Sequence, residues 1–205
     1  MNQELYFSFC KLMDELGKKD PITFYHSSRV AKIAMFFAKE IGLSKKERQT
    51  LEIGALLHDI GKIKIDGSIL NKSGKLTKEE FDEVKKHPVY GFEILENRGI
   101  SEVISQLALY HHERWDGKGY PYGLAGEEIP FLSRLLSLAD TLEAMTGIRP
   151  YREPFTWKEA YVEIDKNAGT QFDPQLVKEF LKWMEKKEFV DHIKAFAINK
   201  KGINV

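Results

Sequence analysis

Histidines occupy positions in apolar helical stripes where a hydrophobic side chain is expected. His26 lies between Ile22 and Val30 at steps of four residues, and His58 follows Ala55 at a step of three. A buried imidazole or carboxylate is costly unless it has a polar partner, and a metal ion is one partner that several such groups can share. These positions therefore indicate a metal site inside the protein.

Two further stripes carry the same kind of side chain. His111 follows Leu107 at a step of four, and Asp140 and Glu143 continue the face of another apolar stripe. A lone histidine on an apolar face is more often a hydrogen-bonded core residue than a ligand, and this is the alternative for each one taken singly. Five of the six histidines nevertheless stand at such positions or beside them. The sixth, His192, is expected at the surface.

The number of candidate ligands indicates two ions. The candidates are His26, His58, Asp59, His87, His111, His112 and Asp140. A zinc site uses three or four protein ligands, so this set is too large for one ion. Two octahedral ions need about twelve positions, of which about eight are filled if one carboxylate bridges, leaving about four for water and substrate oxygens. This arrangement is typical of hydrolytic two-metal centres, and without thiolates it suits iron or manganese as well as zinc.

Helical periodicity dominates the chain and predicts an all-α fold, a single helical bundle. A first helix covers about residues 5–16, and a second begins at Pro21 and stops at Gly42. Capping boxes at Ser44 and Thr77 open two more, the first continuing to about residue 59. The second is expected to end near His87–Pro88.

The rest of the chain is also predicted to be helical, with one long loop. Helices are expected at about 89–97, 101–112, 128–146, 156–167 and 173–187. The stretch 61–76 has three glycines and no helical stripe, which predicts a loop. No segment has a pattern of residues that predicts a β-sheet.

The helices divide the chain into three parts. Residues 1–20 form an N-terminal helix or linker, residues 21–188 form the main domain with all the candidate ligands, and residues 189–205 form a C-terminal tail. The first helix has three alternatives: it packs on the core, it pairs two subunits into a homodimer, or it is the stub of a signalling helix. Packing on the core is the ordinary fate of an amphipathic helix.

Composition excludes several classes of protein. Lys+Arg and Asp+Glu both number 31, so the net charge is zero, unlike that of a protein held on polymeric nucleic acid by bulk charge. The single cysteine, Cys10, permits no internal disulfide and fits a reducing compartment. No apolar run approaches the roughly 20 residues that span a bilayer, and the N-terminus lacks a secretory signal pattern. We expect a soluble, cytoplasmic protein without a membrane segment.

Ordered motifs carry a resemblance to a known family. The segment His58–Lys62 resembles the HDxGK motif of the HD phosphohydrolase superfamily, and His111–Pro121 (HHERWDGKGYP) resembles the hallmark of its HD-GYP branch. Further matches follow in family order from about residue 22 to 187. They are His26, Leu70–Asn71–Lys72, Gly74–Lys75–Leu76, His87–Pro88, Asp140, Arg149–Pro150–Tyr151–Arg152 and Gly169–Pro174. The whole ordered set is much more specific than an HD pair alone.

The resemblance implies an activity and a set of ligands. HD-GYP proteins are bacterial phosphodiesterases that hydrolyse cyclic di-GMP to linear pGpG and, in many cases, on to GMP. The resemblance makes all seven candidates metal ligands, with Asp59 as the bridging carboxylate and a hydroxide shared by two ions as the nucleophile. His87, His112 and Asp59 depend on it most. The expected cofactor is two divalent ions, iron first and manganese as the alternative.

Further roles concern the substrate. Lys62 lies one helical turn beyond His58 and either neutralises charge on the phosphate and leaving oxygen or pairs with Glu143. Arg149 and Arg152 suit the phosphate that is not cleaved. Tyr120 could stack on guanine or pack in the core. The loop that contains Gly119–Tyr120–Pro121, called the GYP loop below, could instead dock a diguanylate cyclase domain, a partner that the family has been proposed to use.

Three positions depart from the family pattern. Ile22 stands where some members have a glutamate for a third metal, so we expect two ions. Glu143 replaces the usual aspartate three residues after Asp140, and Ile148 replaces an acidic residue. Two alternatives to cyclic di-GMP hydrolysis stay open: an HD hydrolase of another cyclic dinucleotide, and a non-catalytic receptor or adaptor for cyclase domains.

Overall fold

The structure is a computed structural model that describes residues 3–147, 153–187 and 189. Those residues contain ten α-helices and no β-strand, which confirms the all-α prediction. The helices are α1 (Gln3–Lys19), α2 (Pro21–Glu40), α3 (Lys45–Leu57), α4 (Gly67–Leu70), α5 (Lys78–Val84), α6 (His87–Asn97), α7 (Glu102–Tyr110), α8 (Phe131–Thr146), α9 (Trp157–Lys166) and α10 (Pro174–Met184). None of these helices is long and apolar enough to cross a membrane.

Helix starts follow their sequence signals. The Asp20 side chain accepts a hydrogen bond from Thr23 N at 3.0 Å, in front of Pro21 in the first turn of α2. The predicted capping boxes of α3 and α5 are both formed. Each cap satisfies backbone N–H groups that have no partner within the helix. Local sequence therefore sets where α2, α3 and α5 begin.

The prediction of a long loop over 61–76 is wrong for two parts of that stretch. A 3₁₀ helix spans Ile60–Lys64, and α4 follows it. The Asp66 carboxylate caps α4 by accepting from Ser68 N at 2.7 Å. Both elements are too short to show an apolar stripe, which is why periodicity missed them.

The predicted helix end at His87–Pro88 is also wrong. Helix α5 ends at Val84, and the two residues instead begin α6. A proline in the first turn of a helix lacks an N–H that would have no partner in any case. The predicted start near residue 128 shifts as well, because a separate 3₁₀ turn occupies Gly126–Glu128 and α8 starts after it.

The buried side chains form two clusters that share helices. Helix α3 supplies Ala55 to a larger cluster around α2, α8 and α10, and Leu57 to a smaller one with α1 and α6. Helix α7 likewise supplies Leu107 to the larger cluster and Ala108 to the smaller. The two helices end where the clusters meet, so the residues that follow them lie in the interior.

Helix α1 packs on the smaller cluster. Leu12 and Leu16 are fully buried there, next to Leu57. On its other side Tyr6 is 55% exposed and Phe7 is 70% exposed. The structure thus shows core packing for this helix, and subunit pairing through its exposed face stays a prediction.

The larger cluster reaches past α10. Phe189, the first residue of the predicted tail, is buried. Its ring makes edge contacts with Trp157 and Trp183, at centroid separations of 5.4 and 4.8 Å. The packed part of the chain therefore includes at least this residue.

Candidate metal centre

All seven candidate ligands come together in two groups. Within each group, one donor atom per residue lies within 4.8 Å of the others. The first group is His26, His58 and Asp140, and the second is Asp59, His87, His111 and His112. Helices α2 and α8 contribute to the first, α6 to the second, and the residues after α3 and α7 complete both.

Asp59 joins the two groups, because each of its carboxylate oxygens faces one of them. Oδ2 lies 3.5 Å from His58 Nε2 and 3.8 Å from His26 Nε2. Oδ1 lies 3.2 Å from His87 Nε2 and 3.9 Å from His111 Nε2. Donor atoms that each lie about 2 Å from one ion are themselves about 3–4 Å apart. The carboxylate is therefore placed to be shared by two ions.

Backbone carbonyls fix the orientation of three imidazoles. His58 Nδ1 donates to Ala55 O at 2.7 Å, His87 Nδ1 to Val84 O at 2.7 Å, and His111 Nδ1 to Ala108 O at 2.9 Å. A carbonyl oxygen only accepts, so the hydrogen of each neutral ring is on Nδ1. Each Nε2 then carries a lone pair that points into the site, as in metal-binding histidines.

Two observations show that these residues fit divalent cations. Among the described residues, the buried His58 Nε2 has no hydrogen-bond partner. His87 Nε2 and His111 Nε2 lie 3.3 Å apart although both are acceptors in the tautomers just described. Facing lone pairs and an unpartnered buried acceptor are unfavourable unless a cation lies among them. Imidazole and carboxylate donors without thiolate suit several divalent metals.

Burial favours the neutral form of three of these histidines, His58, His111 and His112. It lowers the pKa of His58, and it lowers that of His111 well below the usual 6.5. Burial, with His87 nearby, lowers the pKa of His112 to about 3. Neutral imidazoles offer the lone pair that a metal requires.

His26 is held by two carboxylates. Its Nε2 lies 2.9 Å from Asp140 Oδ1, and its Nδ1 bonds to Glu143, which also pairs with Arg29. Burial opposes its charge, but hydrogen bonds to Asp140 and Glu143 outweigh burial and raise the pKa of His26 to about 9. Glu143 therefore orients this ring, as carboxylates behind metal-binding histidines commonly do.

Lys62 pairs with Asp59, and the alternative of a Lys62–Glu143 pair finds no support here. Its Nζ lies 2.6 Å from Asp59 Oδ2. Burial disfavours the charge on Lys62, but the attraction of Asp59 dominates and raises its pKa. Burial likewise opposes ionisation of Asp59, while Lys62 and the histidines hold the pKa of that carboxyl well below its usual range. Lys62 stays protonated beside the shared carboxylate.

Tyr120 lies against the second group. Its ring stacks on His112 with centroids 4.8 Å apart and 29° between the planes, and its backbone N donates to His112 O at 3.2 Å. Burial and the nearby Asp59 and Asp140 raise the pKa of its hydroxyl. Tyr120 thus belongs to the wall of the site.

The other predicted positions are Arg149, Arg152, Ile148 and Ile22. Arg149, Arg152 and Ile148 fall outside the described residues. Ile22 is 51% exposed, and its alkyl side chain offers no ligand one turn before His26.

Three residues that shape the site were not predicted. Arg29 pairs with Glu143 from one turn beyond His26. Gly61 touches α6 so closely that a Cβ would lie 1.9 Å from His87 O.

Glu113 is buried, and its carboxylate accepts hydrogen bonds from three backbone N–H groups in the loop that follows Pro121. Those donors are Tyr122 at 2.7 Å, Gly123 at 3.1 Å and Leu124 at 3.1 Å. The motif positions of Gly61 and Glu113 were the only sequence signal for them.

Comparisons with known proteins agree with this geometry. The sequence matches the HD domain family over residues 11–176. It is 39% identical over 192 residues to a cyclic di-GMP phosphodiesterase of Thermotoga maritima, covering 92% of this chain and 52% of that protein. It is 43% identical over 157 residues to the cyclic di-GMP phosphodiesterase response regulator RpfG of Xanthomonas campestris pv. campestris, covering 75% and 41%.

A third relative is named for another substrate. It is the 3'3'-cGAMP-specific phosphodiesterase 2 of Vibrio cholerae, 35% identical over 187 residues, with 90% of this chain and 35% of that protein covered. The chain thus spans about a third to a half of the length of these relatives. Among solved structures, a cyclic GMP-AMP-specific phosphodiesterase of V. cholerae (V-cGAP3) superposes with a TM-score of 0.66 at 23% identity, covering 97% of this chain and 52% of that one. This likeness shows a shared fold.

Proposed function

The chain belongs to the HD domain family, in its HD-GYP branch, and on that premise we propose that it is a metal-dependent phosphodiesterase that hydrolyses cyclic di-GMP. The product of the first cut is linear pGpG, which a second cut of the same kind would convert to GMP. The observation that carries the proposal is the division of the Asp59 carboxylate between two groups of imidazole and carboxylate donors.

The cofactor of this proposal is a pair of divalent ions. His26, His58 and Asp140 would hold one ion, and His87, His111 and His112 the other, with Asp59 common to both. When bound, two such ions supply Lewis-acid stabilisation of phosphate charge and lower the pKa of a water molecule. We propose iron as the metal and manganese as its substitute, supported by a donor set without thiolate.

The remaining side chains hold charge and orientation. The Lys62 ammonium stays protonated beside Asp59 and is positioned to neutralise negative charge on the phosphate or the leaving oxygen. Glu143 and the carbonyl oxygens of Ala55, Val84 and Ala108 orient the imidazoles before substrate arrives. Preorganised groups lose little free energy to rearrangement during the reaction.

Partners and location complete the proposal. We propose that Arg149 and Arg152 bind the phosphate that is not cleaved, as their motif suggests. Diguanylate cyclase domains are a proposed partner of the GYP loop, and a homodimer through α1 is the proposed assembly. A cytoplasmic location is supported by the single cysteine and by the substrate class.

The test is turnover by the metal-loaded protein. Purified under anaerobic conditions, wild type should convert cyclic di-GMP to pGpG or GMP, resolved by ion-exchange chromatography. His58→Ala should lose turnover and metal, because it removes a buried acceptor that has no hydrogen-bond partner among the described residues. His192→Ala is the control, since His192 is the one histidine that the sequence did not predict to be a ligand, and this variant should leave turnover unchanged.

Two results would contradict the proposal. Normal turnover in His58→Ala would show that the groups are not the reaction centre. Tight binding of intact cyclic di-GMP with no product over hours would favour a receptor or adaptor.

A second candidate substrate is 3'3'-cGAMP. It is favoured by the 35% identity to a relative named for that dinucleotide. Both dinucleotides present the same phosphodiester chemistry to the metal centre and differ in one base. Competition between the two in a single digest decides which is preferred.

A further inference from the structure

The last turn of α5 lies beside the second ligand group. His87 Nδ1 donates to Val84 O, the last residue of the helix, at 2.7 Å. The next residue, Lys85, places its Nζ 5.9 Å from the centre of the Tyr120 ring, which stacks on His112. The end of α5 is therefore tied to the site and forms part of its rim.

Lys85 also lies over an exposed aromatic ring. Its Nζ is 4.8 Å from the centre of the Phe81 ring, one turn earlier on α5. Phe81 is 47% exposed, and its side chain is not part of either core cluster. Lys85 also lies 3.5 Å from Asp82, but both side chains are exposed and such pairs are worth about 0–1 kcal/mol. The ammonium group is free to exchange that partner for a ligand.

Polar contacts, rather than burial, position this rim. Helices α4 and α5 contribute no buried side chain. Lys72 binds both carboxylate oxygens of Glu80, at 2.8 and 2.6 Å, and Glu80 also completes the capping box of Thr77. Lys72, the last residue of the Leu70–Asn71–Lys72 match, thus holds the start of α5 in place, which leaves the exposed side chains of α5 available to a substrate.

We propose that Lys85 and Phe81 form a base-binding rim in which Lys85 selects guanine over adenine in one base of the cyclic dinucleotide. Phe81 supplies a stacking face, and the Lys85 ammonium donates to the base edge. This inference rests on the proposed function and names the residue that sets its base preference.

The chemistry of the base edges supports the selection. Guanine presents two acceptors, O6 and N7, on one edge, whereas adenine presents N7 beside a donating amino group. An ammonium group only donates, so it matches guanine and meets a donor on adenine. Stacking on an aromatic ring is tolerant of the base. Lys85 therefore discriminates, and Phe81 does not.

The experiment compares kcat/KM for cyclic di-GMP and cyclic di-AMP in wild type and Lys85→Met. The ratio of kcat/KM for cyclic di-GMP to kcat/KM for cyclic di-AMP should fall about tenfold in Lys85→Met. This factor lies in the lower part of the range expected when one base contact is lost. Phe81→Ala should lower kcat/KM for both by similar factors. Lys86→Met is the matched control, because the neighbouring Lys86 pairs with Glu83 and is 55% exposed. Metal content should equal that of wild type in all three variants.

An unchanged ratio in Lys85→Met would overturn the inference while leaving the proposed function standing. If wild type hydrolyses neither dinucleotide, the proposed function fails, and equilibrium binding of both to the metal-loaded protein still tests the rim. Equal loss of affinity for both in Lys85→Met would then overturn it, and selective loss for cyclic di-GMP would support it.

Discussion

A methyl group added at Gly61 should disturb the metal centre, although Gly61 is not itself a candidate ligand. The Cβ of Gly61→Ala would lie 1.9 Å from His87 O and 2.5 Å from Gly91 N. Both distances are shorter than 3.0 Å, below which Cβ contacts essentially never occur in proteins. Both obstacles are backbone atoms at the start of α6, so no side-chain rotation relieves them. Either the 3₁₀ turn after Asp59 or the first turn of α6 must move by about 1 Å.

That movement separates ligands of the second group. Asp59 Oδ1 and His87 Nε2, now 3.2 Å apart, are carried by the two elements that must part. Overpacking should cost about 1–3 kcal/mol of unfolding free energy. A misplacement of about 1 Å can also cost about 100-fold in rate. Gly61→Ala should therefore lose stability, metal and kcat/KM together.

Gly91→Ala provides the control on the other side of the same contact. Its Cβ would lie 3.4 Å from Ala108 Cβ and from Gly61 N, which is ordinary contact. Alanine is favoured over glycine in a helix by about 1 kcal/mol. Gly91→Ala should keep its metal and unfold at the wild-type temperature or slightly above it, as measured by circular dichroism and metal analysis. Wild-type metal content and stability in Gly61→Ala would refute this reasoning.

Three further predictions concern the loop, the third-metal position and the metal. Glu113→Gln replaces a charged acceptor of three backbone N–H groups and should cost about 1.5–3 kcal/mol in chemical denaturation; a loss below about 0.5 kcal/mol would contradict the anchoring role. Ile22→Glu should raise the metal content measured per chain toward three, because it places a carboxylate one turn before His26; an unchanged stoichiometry would refute this. Metal removal with a chelator should lower the melting temperature by about 5–10 °C for each ion lost, since an ion whose free concentration is 100 times its Kd contributes about 2.7 kcal/mol; an unchanged midpoint would show that the ions do not bind the folded state preferentially.

Much of the site was predictable because its ligands interrupt helical stripes. His58 and His111 occupy core positions at the ends of α3 and α7, where the period of the apolar residues alone places them inside. His87, by contrast, begins α6, whereas the sequence predicted that the preceding helix would end there. Its identification as a ligand therefore depended on the motif. Periodicity locates a residue within its own helix but says nothing about which helix faces it.

Contacts between distant segments were the part that sequence did not predict. Glu143 on α8 bonds to His26 and Arg29 on α2, and only the packing of α2 against α8 brings these side chains together. Lys62 pairs instead with Asp59, three residues before it. The role of Glu113 is equally hidden, because its partners are backbone N–H groups that leave no trace in residue type. Short elements such as α4 carry too few residues for a period to show.

The most direct test of the account is the number of metal ions bound per chain, with and without the shared carboxylate. Anaerobically purified wild type should hold two ions and yield linear product from cyclic di-GMP. Asp59→Asn keeps the size of the side chain but removes its charge, so it should lose both the metal and turnover. A single ion in active wild type, or two ions and normal turnover in Asp59→Asn, would contradict the claim that Asp59 joins two metal sites.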